Sequence, residues 1–218
     1  MNQDMLGTKI HDPKCKKCNR LEKSLKKLKE MYPSYHCGPV SSFGPLKSDL
    51  LIVGLAPGLH GANATGRPFT GDYAGTLLFQ TLYKYGFSNC SSSVKKNDGL
   101  ELYNCRIVNA VKCVPPQNKP TLQEVKNCSD FLSTEIYSCK PKIILSLGKI
   151  AHDAVLRCLS LRISEFKFQH AKVHRLYRSA VILINSYHCS RYNTQTGRLT
   201  EQMFCAVFDE ILDILGYE

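Results

Sequence analysis

Cys15-Lys-Lys-Cys18 and the wider pair Cys113 and Cys128 are four of the eleven cysteines in this 218-residue chain whose spacing suits metal chemistry. A pair at each of two distant places can close a four-thiolate site. The second pair is too widely spaced for a zinc ribbon, so spacing alone leaves two readings open, a metal centre or free thiols. A second chemistry-bearing stretch is Gly54–Asp72, Gly-Leu-Ala-Pro-Gly-Leu-His-Gly-Ala-Asn-Ala-Thr-Gly-Arg-Pro-Phe-Thr-Gly-Asp. Its glycines let backbone N–H groups approach a ligand with no side chain in the way. No Lys-Ser/Thr follows them, so it is not a Walker loop, and the Gly-x-Gly-x-x-Gly fingerprint is also absent. Loops of this length are usually functional or disordered, and the embedded His60, Asn63 and Phe69 argue for order. A third stretch, Ser186–Thr200, carries His188 after an apolar run. Its Arg191 and Arg198 bracket a small polar loop suited to phosphates.

These stretches need elements to hold them. The apolar runs Asp49–Val53, Cys105–Val111, Lys142–Leu147 and Ala180–Ile184 read as buried strands. Helical spacing follows at Tyr73–Tyr85, Gly148–Leu159 and from Thr200 to Leu215, and Thr121-Leu-Gln-Glu124 is a capping box opening a helix to about Cys139. Strand and helix therefore alternate. The fold class is α/β: three layers, α/β/α, around a central four-stranded, mostly parallel sheet. In such a sheet the loops beyond the carboxyl ends of the strands converge on one crevice. Asn19–Met31 is an additional helix with an apolar face (Leu21, Leu25, Leu28) and a lysine face, either a solvated face or a phosphate contact. Ser88–Gly99 reads as a surface insertion, and Glu165–Arg178 is compatible with an edge element but carries no firm pattern.

Length allows one domain, 1–218. A net charge of +11 favours an anionic partner, nucleic acid first. No apolar run spans a membrane. Met1–Pro13 has no apolar signal core, so the expected compartment is the reducing cytoplasm, where eleven cysteines serve as ligands or buried thiols rather than disulfides.

Gly54–Asp72 resembles, almost residue for residue, the first motif of the family 5 uracil-DNA glycosylases. His188-Cys-Ser-Arg-Tyr-Asn-Thr-Gln-Thr-Gly-Arg-Leu-Thr200 resembles their second motif. The resemblance covers about Cys15 to Leu215. It implies a 4Fe-4S cluster on Cys15, Cys18, Cys113 and Cys128, since both cysteine spacings match those of families 4 and 5, with the cluster clamping segment 13–32. It implies a base pocket of Gly54, Ala56, Phe69 and His188. For DNA contact it implies His60, Asn63, Arg67, Ser190, Arg191, Asn193 and Arg198. Two asparagines match base-reading positions, Asn109 in family 4 and Asn118 in family 5, and both stay open. Leu55 stands where family 4 has Glu, which points to family 5.

The implied reaction is removal of uracil, and of other deaminated bases, from single- or double-stranded DNA by a monomeric chain, leaving an abasic site for base excision repair. Bond cleavage puts positive charge on the sugar and negative charge on the base. His188 is the implied donor to the base oxygen, and Asp72 the implied carboxylate beside the sugar, while the same Asp72 reads as a helix N-cap. Phe69 would stack on the flipped base. No Lys falls within either motif, which fits hydrolysis by water without a Schiff base. The alternatives are a family 4-like enzyme of narrow specificity and a non-catalytic iron–sulfur DNA-binding protein.

Overall fold

The computed structural model describes residues 9–177 and 180–217. Positions 1–8 of the Met1–Pro13 segment, Arg178 at the end of Glu165–Arg178, and Glu218 lie outside the described residues. β1 (Leu50–Gly54), β2 (Cys105–Asn109) and β3 (Ile143–Leu147) form with β4 (Val173–Arg175) and β5 (Ile182–Ser186) one sheet in the order β2-β1-β3-β5-β4. The first three and β5 are parallel, with Leu50 beside both Cys105 and Ile143, and Ile143 beside Ile182. β1 and β3 are buried throughout, as strands covered on both faces must be.

Alternation along β1 divides the core. Leu50 and Ile52 join Leu78, Phe79, Phe204 and Phe208 on one face, under α3 (Tyr73–Lys84) and α7 (Glu201–Leu215). Leu51 and Val53 join Leu21, Phe131, Leu132 and Val155 on the other, under α1 (Asn19–Met31), α4 (Leu122–Cys139) and α5 (Lys149–Cys158). The helix starts follow the sequence signals. Thr121 and Glu124 form the reciprocal capping box of α4, and the side chains of Asp72 and Thr200 accept from Gly75 N and Met203 N.

The expected four strands are five. The extra strand, β4, comes from the unassigned Glu165–Arg178 region and pairs antiparallel with β5, Val173 opposite Ile184. Three residues are too few for alternation to show. β5 also lies two residues later than Ala180–Ile184, so that His188 follows the strand end almost directly. Both motifs contain a one-turn helix, α2 (Ala62–Thr65) and α6 (Arg191–Gln195), too short to leave a periodic pattern.

Candidate active site and cysteine cavity

Motif 1 leaves β1, turns through α2 and ends at the N-terminus of α3, while motif 2 leaves β5. Between them, at the carboxyl edge of the sheet, lies a pocket of about 500 Å³. Ala56, His60, Phe69, Asp72, Asn109, Asn118, His188, Ser190 and Arg191 line it, together with Leu55 and Tyr73. Residues from the ends of three strands thus meet where a parallel sheet places its ligand.

Packing around Phe69 fixes the pocket floor. Its φ of 53° is left-handed, unusual for an aromatic residue. Phe69 O occupies the space where any Cβ on residue 75 would stand, so only glycine fits inside α3 there. A Cβ on Gly54 would lie 2.5 Å from Asn109 Oδ1 and 2.7 Å from Phe69 Cζ. Gly54 therefore serves by having no side chain. Phe69 and His188 face one another, ring centroids 5.8 Å apart and planes inclined by 26°.

Asn109 is 3 % exposed, and its Oδ1 has no hydrogen-bond partner. Buried polar atoms are ordinarily satisfied, and this acceptor in the pocket wall is left without a partner among the described residues. Asn118, also in the pocket lining, is exposed, at φ 56°.

Asp72 caps α3: its Oδ1 accepts from Gly75 N at 3.1 Å. Oδ2 lies against Gly58 and Gly61, where a side chain would collide with it. Burial pushes the carboxyl up, partly opposed by the Gly75 and Ala74 N–H groups. Burial also pulls the His188 imidazole down to about 4, so the ring is neutral at physiological pH. Asn193 Nδ2 donates to His188 O at 2.8 Å, which holds the backbone of the histidine.

The residues expected to contact DNA fall at the pocket edge, outside it, or inside the protein. His60 is exposed on the rim, its Nδ1 3.0 Å from Tyr35 Oη. Arg191, at the pocket edge, is exposed over the Tyr73 ring at 5.2 Å. Arg198, over Tyr187 at 4.7 Å, lies outside the pocket lining. Arg67 and Asn63, expected at the DNA, are instead buried and held by protein partners. Arg67 makes a two-pronged pair with Asp98, at 2.8 and 2.6 Å, bonds Thr70 and Ser93, and lies over the Phe43 ring. The guanidinium beside Asp98 holds that carboxyl well below the usual range. Asn63 is fully buried and donates to Leu59 O. The segment read as a surface insertion thus supplies the partner that anchors motif 1. The sequence reading missed Gly75, whose only signal is a glycine inside a helical pattern, and Tyr35, which carries none.

Cys15, Cys18, Cys113 and Cys128 rim a second cavity, about 300 Å³, between α1, α4 and the loop after β2. Arg20 pairs with Glu124, Lys17 with Asp130, and Asn127 donates to Lys17 O, all tying the N-terminal segment to α4. Cys113 is pushed up to about 12 by burial and by the neighbouring Cys128, Cys15 and Cys18 sulfurs. Burial likewise pushes Cys128 up to about 11. Both buried thiols are therefore protonated at neutral pH unless a cation stands beside them. Among the described residues no three His, Cys, Asp or Glu side chains are grouped to hold a metal ion. What the four thiols share is the lining of one cavity.

Among the described residues no helix is long and apolar enough to cross a membrane. Residues 41–213 match the Uracil DNA glycosylase superfamily. The chain is similar to the type-5 uracil-DNA glycosylase of Pyrobaculum aerophilum, 40 % identical over 88 % of this chain and 85 % of that protein. It is 41 % identical to the type-5 uracil-DNA glycosylase of Thermus thermophilus, over 84 % and 83 % of the two chains. The type-4 uracil-DNA glycosylase of Archaeoglobus fulgidus is 30 % identical, over 80 % and 75 %. Likeness along most of the chain joins a pocket whose walls come from both motifs, and the chain belongs to the uracil DNA glycosylase superfamily.

Proposed function

We propose that this protein is a monofunctional uracil-DNA glycosylase, hydrolysing the N-glycosidic bond of deoxyuridine in DNA and leaving an abasic site. The carrying observation is the buried, unpartnered Asn109 Oδ1, set in the same pocket as Phe69, Asp72 and His188. Uracil offers an N3–H flanked by two carbonyls. An amide can accept from the first and donate to one of the second, whereas cytosine presents the reverse pattern. That geometry favours Asn109 over Asn118 as the base reader. Other deaminated bases with the same N–H and carbonyl edge are secondary substrates.

The target nucleotide leaves the stack and its base lies against Phe69. His188, neutral at working pH, donates to the base oxygen on which negative charge develops. Asp72 stands where a carboxylate stabilises the developing sugar cation and orients water. The proton count closes simply: water adds hydroxide to the sugar carbon, and the departing base takes up the proton. The type-4 alternative is disfavoured by Leu55, which gives the pocket an apolar wall. A purely binding role is disfavoured by a neutral imidazole and a buried carboxylate facing the same space.

Cys15, Cys18, Cys113 and Cys128 would hold a 4Fe-4S cluster, whose cage separates its thiolates further than a single tetrahedral ion does. When bound it supplies structural cross-linking of the N-terminal segment to the loop after β2. The chemistry of base removal stays with the pocket residues. The test of the whole reading is a duplex carrying one deoxyuridine. Alkali should cleave the treated strand at that position, with no borohydride-trapped protein–DNA adduct. An intact strand after alkali, with DNA bound, would leave a binding protein.

A further inference from the structure

Sequence patterns gave the segment between α5 and β5 no role, yet topology carries part of it to the pocket. Because β4 runs antiparallel to its neighbour, its start lies at the carboxyl end of β5. The preceding loop, Lys167–Lys172, therefore stands beside motif 2. Ala171 N donates to Asn185 O, and Lys172 O accepts from Asn185 N. His170 stacks on Tyr187, with centroids 5.0 Å apart and planes 11° from parallel, and its Nδ1 accepts from Tyr187 N at 3.2 Å. Arg198 lies over the same Tyr187 ring. Tyr187 immediately precedes His188, so this stack fixes the loop to the pocket wall.

The loop is one-signed. From Phe166 to Tyr177 the chain contains Lys167, Lys172 and Arg175 and no Asp or Glu. Lys167 and Lys172 are exposed, as are Arg191 and Arg198. The ion pairs among the described residues include none of these four. Lys167 and Lys172, on the loop whose His170 stacks on Tyr187, form with Arg191 over Tyr73 and Arg198 over Tyr187 a cationic strip on the motif 2 side. Such a strip takes up a polyanion by releasing its counterions.

We infer that the Lys167–Lys172 loop is a second DNA-contact surface, which holds the phosphates of the strand flanking the extruded nucleotide on the motif 2 side. This rests on the glycosylase reading, and it adds a segment outside both motifs. The loop acts on binding and register. It lines no part of the pocket, so the bond-breaking step does not depend on its charges.

The test uses the full-length protein and measures affinity for a uracil-free duplex across a salt gradient. Lys167→Gln/Lys172→Gln should make the log–log salt slope shallower by roughly two, about one for each phosphate no longer neutralised. Single-turnover uracil release at saturating enzyme should stay at the wild-type rate. A charge-matched control, Lys140→Asn/Lys142→Gln, sits where the chain enters β3, at the opposite end of the sheet, and should keep the wild-type slope. An unchanged slope in the loop variant, or an equal change in the control, would overturn the surface while leaving the glycosylase reading intact. A wild-type protein with no salt-dependent DNA binding would overturn both.

Discussion

Asn109 and Gly54 stand so close across the β1–β2 edge that a single methyl group on Gly54 would come within 2.5 Å of the amide oxygen. The two residues are register partners in the parallel ladder, so neither can move without opening the sheet. A buried acceptor held by backbone pairing is set before any ligand arrives. Gly54→Ala should displace both the amide and Phe69, and lower single-turnover uracil release by about 10²-fold, the scale for an ångström of misplacement. Asn109→Ala should alter the ranking of uracil against hypoxanthine, while Asn118→Ala should leave that ranking as it is. A ranking that follows Asn118 would move base reading to that exposed residue.

Asp72 serves two ends that a single substitution separates. Burial raises its pKa above the usual carboxylate value, so the ionised form is disfavoured in the folded state. The cost of that charge appears as pH rises above the unfolded-state value and is fully present above the folded one. Asp72→Asn removes the charge and keeps a capping oxygen. Its melting temperature at neutral pH should therefore equal or exceed the wild type's, while base release slows by up to about 10²–10⁴-fold on every substrate base. A full-rate variant would leave Asp72 as a helix cap only.

Arg67 tests whether motif 1 is anchored from within. Arg67→Ala strands Asp98 beside a buried cavity, and breaking a buried pair from one side costs about 3–5 kcal/mol. Urea unfolding should register that loss. The salt slope of DNA binding should not change, because the guanidinium is 4 % exposed and fully engaged. A shallower slope with wild-type stability would return Arg67 to the DNA.

The cysteine cavity makes its own prediction. Protein purified without oxygen should be brown and carry about four irons per chain, as four thiolates around one cluster require. Cys113→Ala should lower thermal stability more than it lowers the single-turnover rate of the surviving folded fraction. Stoichiometric zinc and a colourless protein would replace the cluster with a simpler centre.

Much of this was legible in sequence because local signals agreed with the fold. The capping box at Thr121, the cap at Asp72, and four apolar runs placed the helices and the parallel strands. Strand order brought the two motif loops to one crevice, and the resemblance singled out Phe69, Asp72 and His188 within them. What sequence could not carry was direction and distance. Arg67 looks like a phosphate ligand until Asp98, in a stretch with no pattern of its own, is found beside it. β4 is defined by pairing rather than by alternation, and its antiparallel sense is what brings Lys167–Lys172 to the site. Asn109 and Asn118 are equivalent as letters and differ only in burial.

The most direct measurement compares wild type and His188→Ala in single-turnover release of uracil, alongside affinity for the abasic product. Burial keeps the imidazole neutral above about pH 4, so its donor acts only once charge has moved onto the leaving base. The variant should lose roughly 10²–10³ in rate, the usual scale for a missing oxyanion donor, with product affinity nearly unchanged. A wild-type rate in His188→Ala would contradict the account, because the bond would then be broken without the group this pocket is built around.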